Sequence, residues 1–156
     1  MSLEKILDDG GQSIIDDIRD NLAATGTNAT GETSKSLRYE VEVTKGEKGS
    51  LTVYGRGFIW GVETGRGPRK QTVASGFLDG MMKWMRVRGI GASLSEKKFQ
   101  QLARFFTWRQ NKLGSALFRK GGRKDIITPV VINREKEIAD KVAAFLADNI
   151  VNTIPK

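Results

Sequence analysis

The sequence predicts a mixed α+β fold: a small antiparallel β-sheet, a helix at each end of the chain and further helices between. Three observations carry this. Apolar residues recur at three- and four-residue steps near both termini, the period switches to two between Leu37 and Tyr54, and residues 76–113 return to the helical period after a loop containing Gly and Pro. With 156 residues the chain has the length of one domain, 1–156, and can bury a core without staples.

Leu3, Ile6, Leu7, Gly10, Ile14, Ile18 and Leu22 share one face, with Asp8, Asp9, Asp16, Asp17 and Asp20 mostly opposite. The N-terminus therefore reads as an amphipathic helix that can bend at Gly10-Gly11 and that ends near Ala24, before the turn-rich stretch Thr25–Gly31. Leu37, Tyr39, Val41 and Val43 alternate with Arg38, Glu40, Glu42 and Thr44 as a half-buried strand requires. Lys45–Gly49 makes a turn, and Leu51, Val53 and Tyr54 begin the second strand of an antiparallel hairpin. Phe58–Glu63 is too short to decide between strand and helical turn. Thr64–Lys70 cannot continue a regular element, because Pro68 lacks a donor and two glycines flank Arg66, so it reads as an exposed basic loop. Phe77–Val87 is a short helix ended by Gly89. Ser95–Lys112 is another, with Ser95 as its cap and Phe99, Leu102, Ala103 and Phe106 as its apolar stripe. Phe105 and Trp108 widen that stripe, so this helix is either deeply packed or destined for a partner surface. Phe118–Asp125 forms a second basic loop, and Asn133 caps a final helix with Ile138, Val142, Phe145, Leu146 and Ile150 on one face.

Composition narrows the chemistry. Without cysteine there is no disulfide or thiolate metal site; without histidine the usual general base and the commonest zinc ligand are missing. The acidic N-terminal residues read as neither a secretory signal nor a membrane span, and Asn28-Ala29-Thr30 as a polar loop rather than a glycosylation acceptor. The glycine pairs at 55/57, 65/67 and 89/91 lack the third glycine of a dinucleotide fingerprint, and 65–72 lacks P-loop spacing. Asp16 and Asp20, one turn apart, read as a solvated acidic face rather than a metal site. Trp60, Trp84 and Trp108 have the chemistry to stack on bases, but the first two sit in apolar runs and read as core. No catalytic, cofactor-binding or metal-ligating set emerges, and the expectation is a non-enzyme. A hydrolase using Asp-bound magnesium is the weakest alternative, for want of a carboxylate cluster near a basic cleft.

Charge is the most informative feature. Residues 1–64 hold 7 Lys/Arg against 11 Asp/Glu, residues 65–128 hold 15 against 3, and residues 129–156 hold 4 of each, giving −4, +12 and 0. The candidate functional residues are those of the two basic loops: Arg66, Arg69 and Lys70, with Arg119, Lys120, Arg123 and Lys124. They suit either phosphates along a duplex or acidic residues of an adjacent subunit, such as the Asp-rich N-terminal helix of a second copy.

Thr30-Gly31 with Ser36 forms a polar step into the sheet, and Val62-Glu63-Thr64-Gly65 with Pro68 forms a hydrophobic-Glu-x-Gly step. Taken in order, these short motifs resemble those of the tail-completion or neck (head-tail joining) proteins of long-tailed bacteriophages. Trp84, Arg88-Gly89-Ile90, Lys112-Leu113-Gly114 and Phe118–Gly122 resemble an insertion carried by larger members, here about 76–113. The resemblance implies a small antiparallel sheet packed by N- and C-terminal helices, in a structural protein without cofactor. It implies a homo-oligomeric ring of six or twelve copies at the neck or upper tail of the virion, made in the host cytoplasm. That ring would join the portal or head-closure layer to the tail tube and surround the DNA channel, with non-specific DNA contact and no membrane. The alternative is a small basic DNA-binding or packaging accessory protein that ignores sequence.

Overall fold

Helix α1 (Leu3–Ala24) is the spine against which the rest of the main core is laid. The structure, a computed structural model, describes residues 2–44, 48–57, 59–69 and 75–153. Ser2 caps α1 by accepting from the Lys5 N–H, and the helix runs unbroken through Gly10-Gly11. No interruption occurs at these two glycines, which serve close approach. A Cβ at Gly11 would lie 2.5 Å from the Tyr39 ring and 2.8 Å from Leu51, and one at Gly10 would lie 2.6 Å from Ile138. Small residues here let the hairpin and the last helix lie directly on α1.

After a turn and a one-turn helix α2 (Glu32–Lys35), β1 (Arg38–Thr44) pairs antiparallel with β2 (Lys48–Tyr54), Tyr39 opposite Val53 and Val41 opposite Leu51. The period-two residues Tyr39, Val41 and Val43 are half-buried while Arg38, Glu40, Glu42 and Thr44 are exposed, as the alternation predicts. Of the undecided stretch Phe58–Glu63, Phe58 lies outside the described residues and the last three residues fall in a single helical turn, α3 (Gly61–Thr64). Helices α4 (Ser75–Val87) and α5 (Glu96–Leu113) form the helical pair between sheet and terminal helix. A short α6 (Ala116–Arg119) and the long α7 (Thr128–Thr153) follow. Mixed α+β, with the sheet flanked by the terminal helices, is therefore the observed architecture.

Two apolar clusters hold the described residues together. The larger contains Ile14, Ile18 and Leu22 of α1, Leu37, and Ile126, Ile127 and Val130 at the start of α7. Each such side chain contributes roughly 1.5–3 kcal/mol on burial. The smaller joins Met81 and Met85 of α4 to Phe99 and Ala103 of α5. Gly89, in the left-handed region at φ 67°, ends α4 as its position suggests. Ser95 stands at the N-cap of α5 with extended backbone but makes no side-chain cap bond.

Three sequence expectations need correction. Helix α7 starts at Thr128, not after Asn133, which lies exposed within it; Pro129 occupies the first turn, where its missing N–H costs nothing. Trp60 and Trp84 are not core: they are 57% and 37% exposed. In α4 the inward positions one turn apart are Met81 and Met85, which leaves Trp84 at the rim, and Trp60 stands exposed at the N-cap of the helical turn 61–64.

Replacing Gly11 by Ala raises helix propensity by about 1 kcal/mol, yet the chain should lose about 1–2 kcal/mol net, because the new methyl must displace a Tyr39 ring whose hydroxyl is held by Asp8. Urea unfolding of Gly11→Ala beside an exposed control such as Ala139→Gly measures the sign.

Candidate interface site

The segment 61–69 that follows the hairpin organises the site. Glu63 is 3% exposed, and one of its carboxylate oxygens accepts the N–H groups of Ile126 (2.9 Å), Ile127 (2.6 Å) and Thr128 (3.0 Å). The other accepts the Thr128 hydroxyl at 2.6 Å. A side chain 65 residues away in sequence thus caps α7. Burial alone would raise this carboxyl, but the bonds from Thr128, Ile127 and Ile126 outweigh it and hold Glu63 below its ordinary value. The positive end of the α7 dipole acts in the same direction. Glu63 is therefore a structural anion, and the Glu of the hydrophobic-Glu-x-Gly step has a physical reason to be there.

The same segment gathers both basic loops. The Glu63 carbonyl accepts the Arg123 N–H at 2.8 Å. The Arg66 N–H donates to the Ser115 hydroxyl at 3.0 Å, the Ser115 N–H returns a bond to the Arg66 carbonyl at 2.7 Å, and the Arg69 N–H donates to the Asn111 carbonyl at 2.8 Å. Gly65, at φ 71°, must be glycine twice over: its backbone is left-handed, and a Cβ would collide with the Phe118 backbone. The loops around Arg66 and Phe118, 49 residues apart at the Arg66–Ser115 bond, are thereby packed side by side.

Their side chains divide into two kinds. The Arg66 guanidinium is half-buried, 3.7 Å from the Phe77 ring centroid, with a 2.7 Å bond to the buried Asn111 amide oxygen. Its Nε is buried with no hydrogen-bond partner among the described residues. Burial, with the Arg69 charge adding to it, lowers Arg66 from its ordinary value, and a guanidinium remains charged regardless. Arg123 is half-buried and makes a two-pronged pair with Asp125, which holds that carboxyl below its usual range. The expectation of an exposed basic loop at 64–70 fails at Arg66, which packs its charge between Phe77 and Asn111, while Arg123 in the second loop is held locally by the exposed Asp125. Arg69, Arg119, Lys120 and Lys124 are exposed. Lys70 lies outside the described residues.

Two further surfaces were only partly legible. Between β2, α1 and α7 lies an apolar groove of about 660 Å³, walled by Leu51, Val53, Ile138, Val142, Ala143 and Leu146, with Glu135 as its charged lining residue. On α5, Phe105 and Trp108 are 50% and 54% exposed with ring centroids 6.2 Å apart, so the widened stripe is a surface feature and not a deeply packed one. The α7 stripe signalled the groove wall; nothing in the sequence signalled that the hairpin would leave the wall uncovered. Among the described residues no group of His, Cys, Asp or Glu is arranged to hold a metal ion, and no helix is long and apolar enough to cross a membrane. Asp16 is engaged by Gln12 and Arg19, and Asp17 by Arg134.

Glu63→Ala strands the buried N–H groups of Ile126 and Ile127 at about 1–3 kcal/mol each and the half-buried one of Thr128 besides, so a loss of about 3 kcal/mol or more is expected by chemical denaturation; Glu63→Gln, which keeps an acceptor but no charge, should lose about 1–2 kcal/mol. Because the folded carboxyl sits below its unfolded value of ~4.3, its contribution is complete above that value and is lost as pH falls through the lower folded one. Stability of the wild type should therefore fall toward that of Glu63→Gln in acid. For the basic loops, Arg66→Glu should destabilise by about 2 kcal/mol or more through an unpaired buried charge, while Arg69→Glu should stay within about 0.5 kcal/mol; thermal melts of the two variants separate them. No protein-family model, curated protein or solved structure matches the chain.

Proposed function

We propose that this chain is a non-catalytic structural subunit of a ring at the head-tail junction or upper tail of a tailed phage. It joins the portal or head-closure layer to the tail, surrounds the DNA channel, and is assembled from host cytoplasm into the virion. The observation that carries the reading is the amount of apolar surface left open. A groove of about 660 Å³ and a half-exposed aromatic pair occur on one small chain, where a free-standing domain ordinarily covers such patches. The motif resemblance supports it too: the Val62–Gly65 step holds the residue that caps the terminal helix and joins the two basic loops. Function then lies in interfaces, with homo-oligomeric contacts within the ring and contacts to portal-side and tail-tube proteins above and below.

The exposed loop cations also favour a second reading, a small basic DNA-binding or packaging accessory protein. Arg69, Arg119, Lys120 and Lys124 stand on adjoining loops with charge and reach for phosphates but no base-reading element. In the ring reading they meet passing DNA or an acidic neighbour; in the accessory reading DNA affinity is the activity itself.

Reversing Arg69, Arg119, Lys120 and Lys124 to Glu spares the two structural arginines and should leave the far-ultraviolet circular dichroism unchanged. In the ring reading the variant is depleted from purified particles, as quantified by mass spectrometry of virion proteins, and wild-type chain is a stoichiometric virion component. Wild-type chain absent from particles but binding duplex DNA tightly, with a steep salt dependence, would replace this reading with the accessory one.

A further inference from the structure

We infer that the aromatic pair on α5 of one copy docks into the apolar groove of a second copy, making a head-to-tail junction; this rests on the ring reading and specifies its subunit contact. The two surfaces are complementary in kind. Phe105 and Trp108 form a ridge of roughly 150–250 Å² of surface per ring, half of it open to water, and the groove of about 660 Å³ offers aliphatic walls from β2 and α7. They are also complementary in charge. Arg104 and Arg109 flank the ridge on α5, both exposed and neither engaged with a carboxylate among the described residues. Lys112 lies over the Trp108 ring at 5.2 Å, which places a third cation at the ridge. The groove carries Glu135, exposed and likewise unpaired among the described residues. By contrast Arg134, Glu137 and Lys141 on the same helix already satisfy one another or Asp17.

Ridge and groove belong to different clusters of the core, so the ridge of one molecule and the groove of the next make a heterologous contact that leaves a free ridge at one end and a free groove at the other. Repetition of such a contact closes a ring where the rotation between successive copies allows it, which is what the ring reading requires. A second copy is favoured over an unrelated partner because both halves, with opposite unpaired charges, are present on every chain.

The test uses two exposed-site variants of the full chain. Trp108→Ala removes the ridge and keeps the groove. Ala143→Arg fills and repels at the groove and keeps the ridge; Ala143 is exposed, so neither change touches the core. By sedimentation velocity the wild type should self-associate as concentration rises, and each variant alone should associate at least about tenfold more weakly. An equimolar mixture of the two should form a dimer and stop there, since one intact junction remains. A wild type that stays monomeric at its solubility limit, a Trp108→Ala chain that associates like the wild type, or a mixture that stays monomeric would each overturn the junction. If the chain is nonetheless a stoichiometric virion component, the ring reading stands with a different contact; if it is absent from particles, the ring reading falls by its own test.

Discussion

One buried carboxylate determines how this chain closes. The backbone that leads into α7 is buried in the main core at Ile126 and Ile127, where water cannot serve its N–H groups, and the first N–H of the helix itself has no partner within the helix. Glu63 serves three at once and adds the Thr128 hydroxyl. Because Glu63 belongs to α3, just past the hairpin, the bond fixes the exit of the sheet against the entry of the last helix. With that entry fixed, Ile126, Ile127 and Val130 fall into register with Ile14, Ile18 and Leu22 of α1. A shorter side chain would leave this buried stretch of backbone with unmet donors, and apolar packing alone does not repay that.

The second level of organisation is a polar joint and not an apolar one. Helices α4 and α5 bury their own small core and meet the rest through Arg66 on Asn111 and Phe77, through Ser115 and the Arg66 backbone, and through Lys83 and Arg56 on Glu32. Those two cations push Glu32 down to about 2, though on an exposed surface the pair is screened. Polar joints constrain direction more than they contribute energy, since each bond is nearly offset by lost hydration. The helical pair is thus oriented by bonds that need particular partners, while each core is stabilised by burial that needs only apolar volume.

This division explains what the sequence disclosed. Helices and hairpin were legible because burial imposes a period, and the period of 3, 6, 7, 14, 18 and 22 or of 39, 41 and 43 is written in consecutive residues. The start of α7 was not, because its cap arrives from a residue 65 positions away; local rules chose Asn133, the nearest residue with the right chemistry. Gly10-Gly11 was read as a weak point in a helix, though its purpose is contact with Tyr39, Leu51 and Ile138, which no local window contains. Of the loop cations, sequence located the region but could not separate Arg66, engaged by Phe77 and Asn111, and Arg123, engaged by Asp125, from the exposed Arg69, Arg119, Lys120 and Lys124.

That separation bears on how a charge of +12 over residues 65–128 is compatible with a folded chain. Concentrated like charge opposes compaction, and the chain answers by spending part of it internally. Arg66 lies over an aromatic face, Arg123 is neutralised by Asp125, Arg86 reaches Glu96, and Lys83 shares the Glu32 carboxylate with Arg56. The remaining exposed cations divide by location, one set on the loops beside α3 and another along α5 beside Phe105 and Trp108. The loop set offers charge on backbone-anchored loops, and so suits a polyanion that needs only charge and reach. The α5 set borders an aromatic ridge, where apolar contact supplies affinity and the cations supply orientation, and so favours a shaped protein surface. One basic segment is in this way suited to two partners of different chemistry, and the side-chain environment, more than the charge total, distinguishes them.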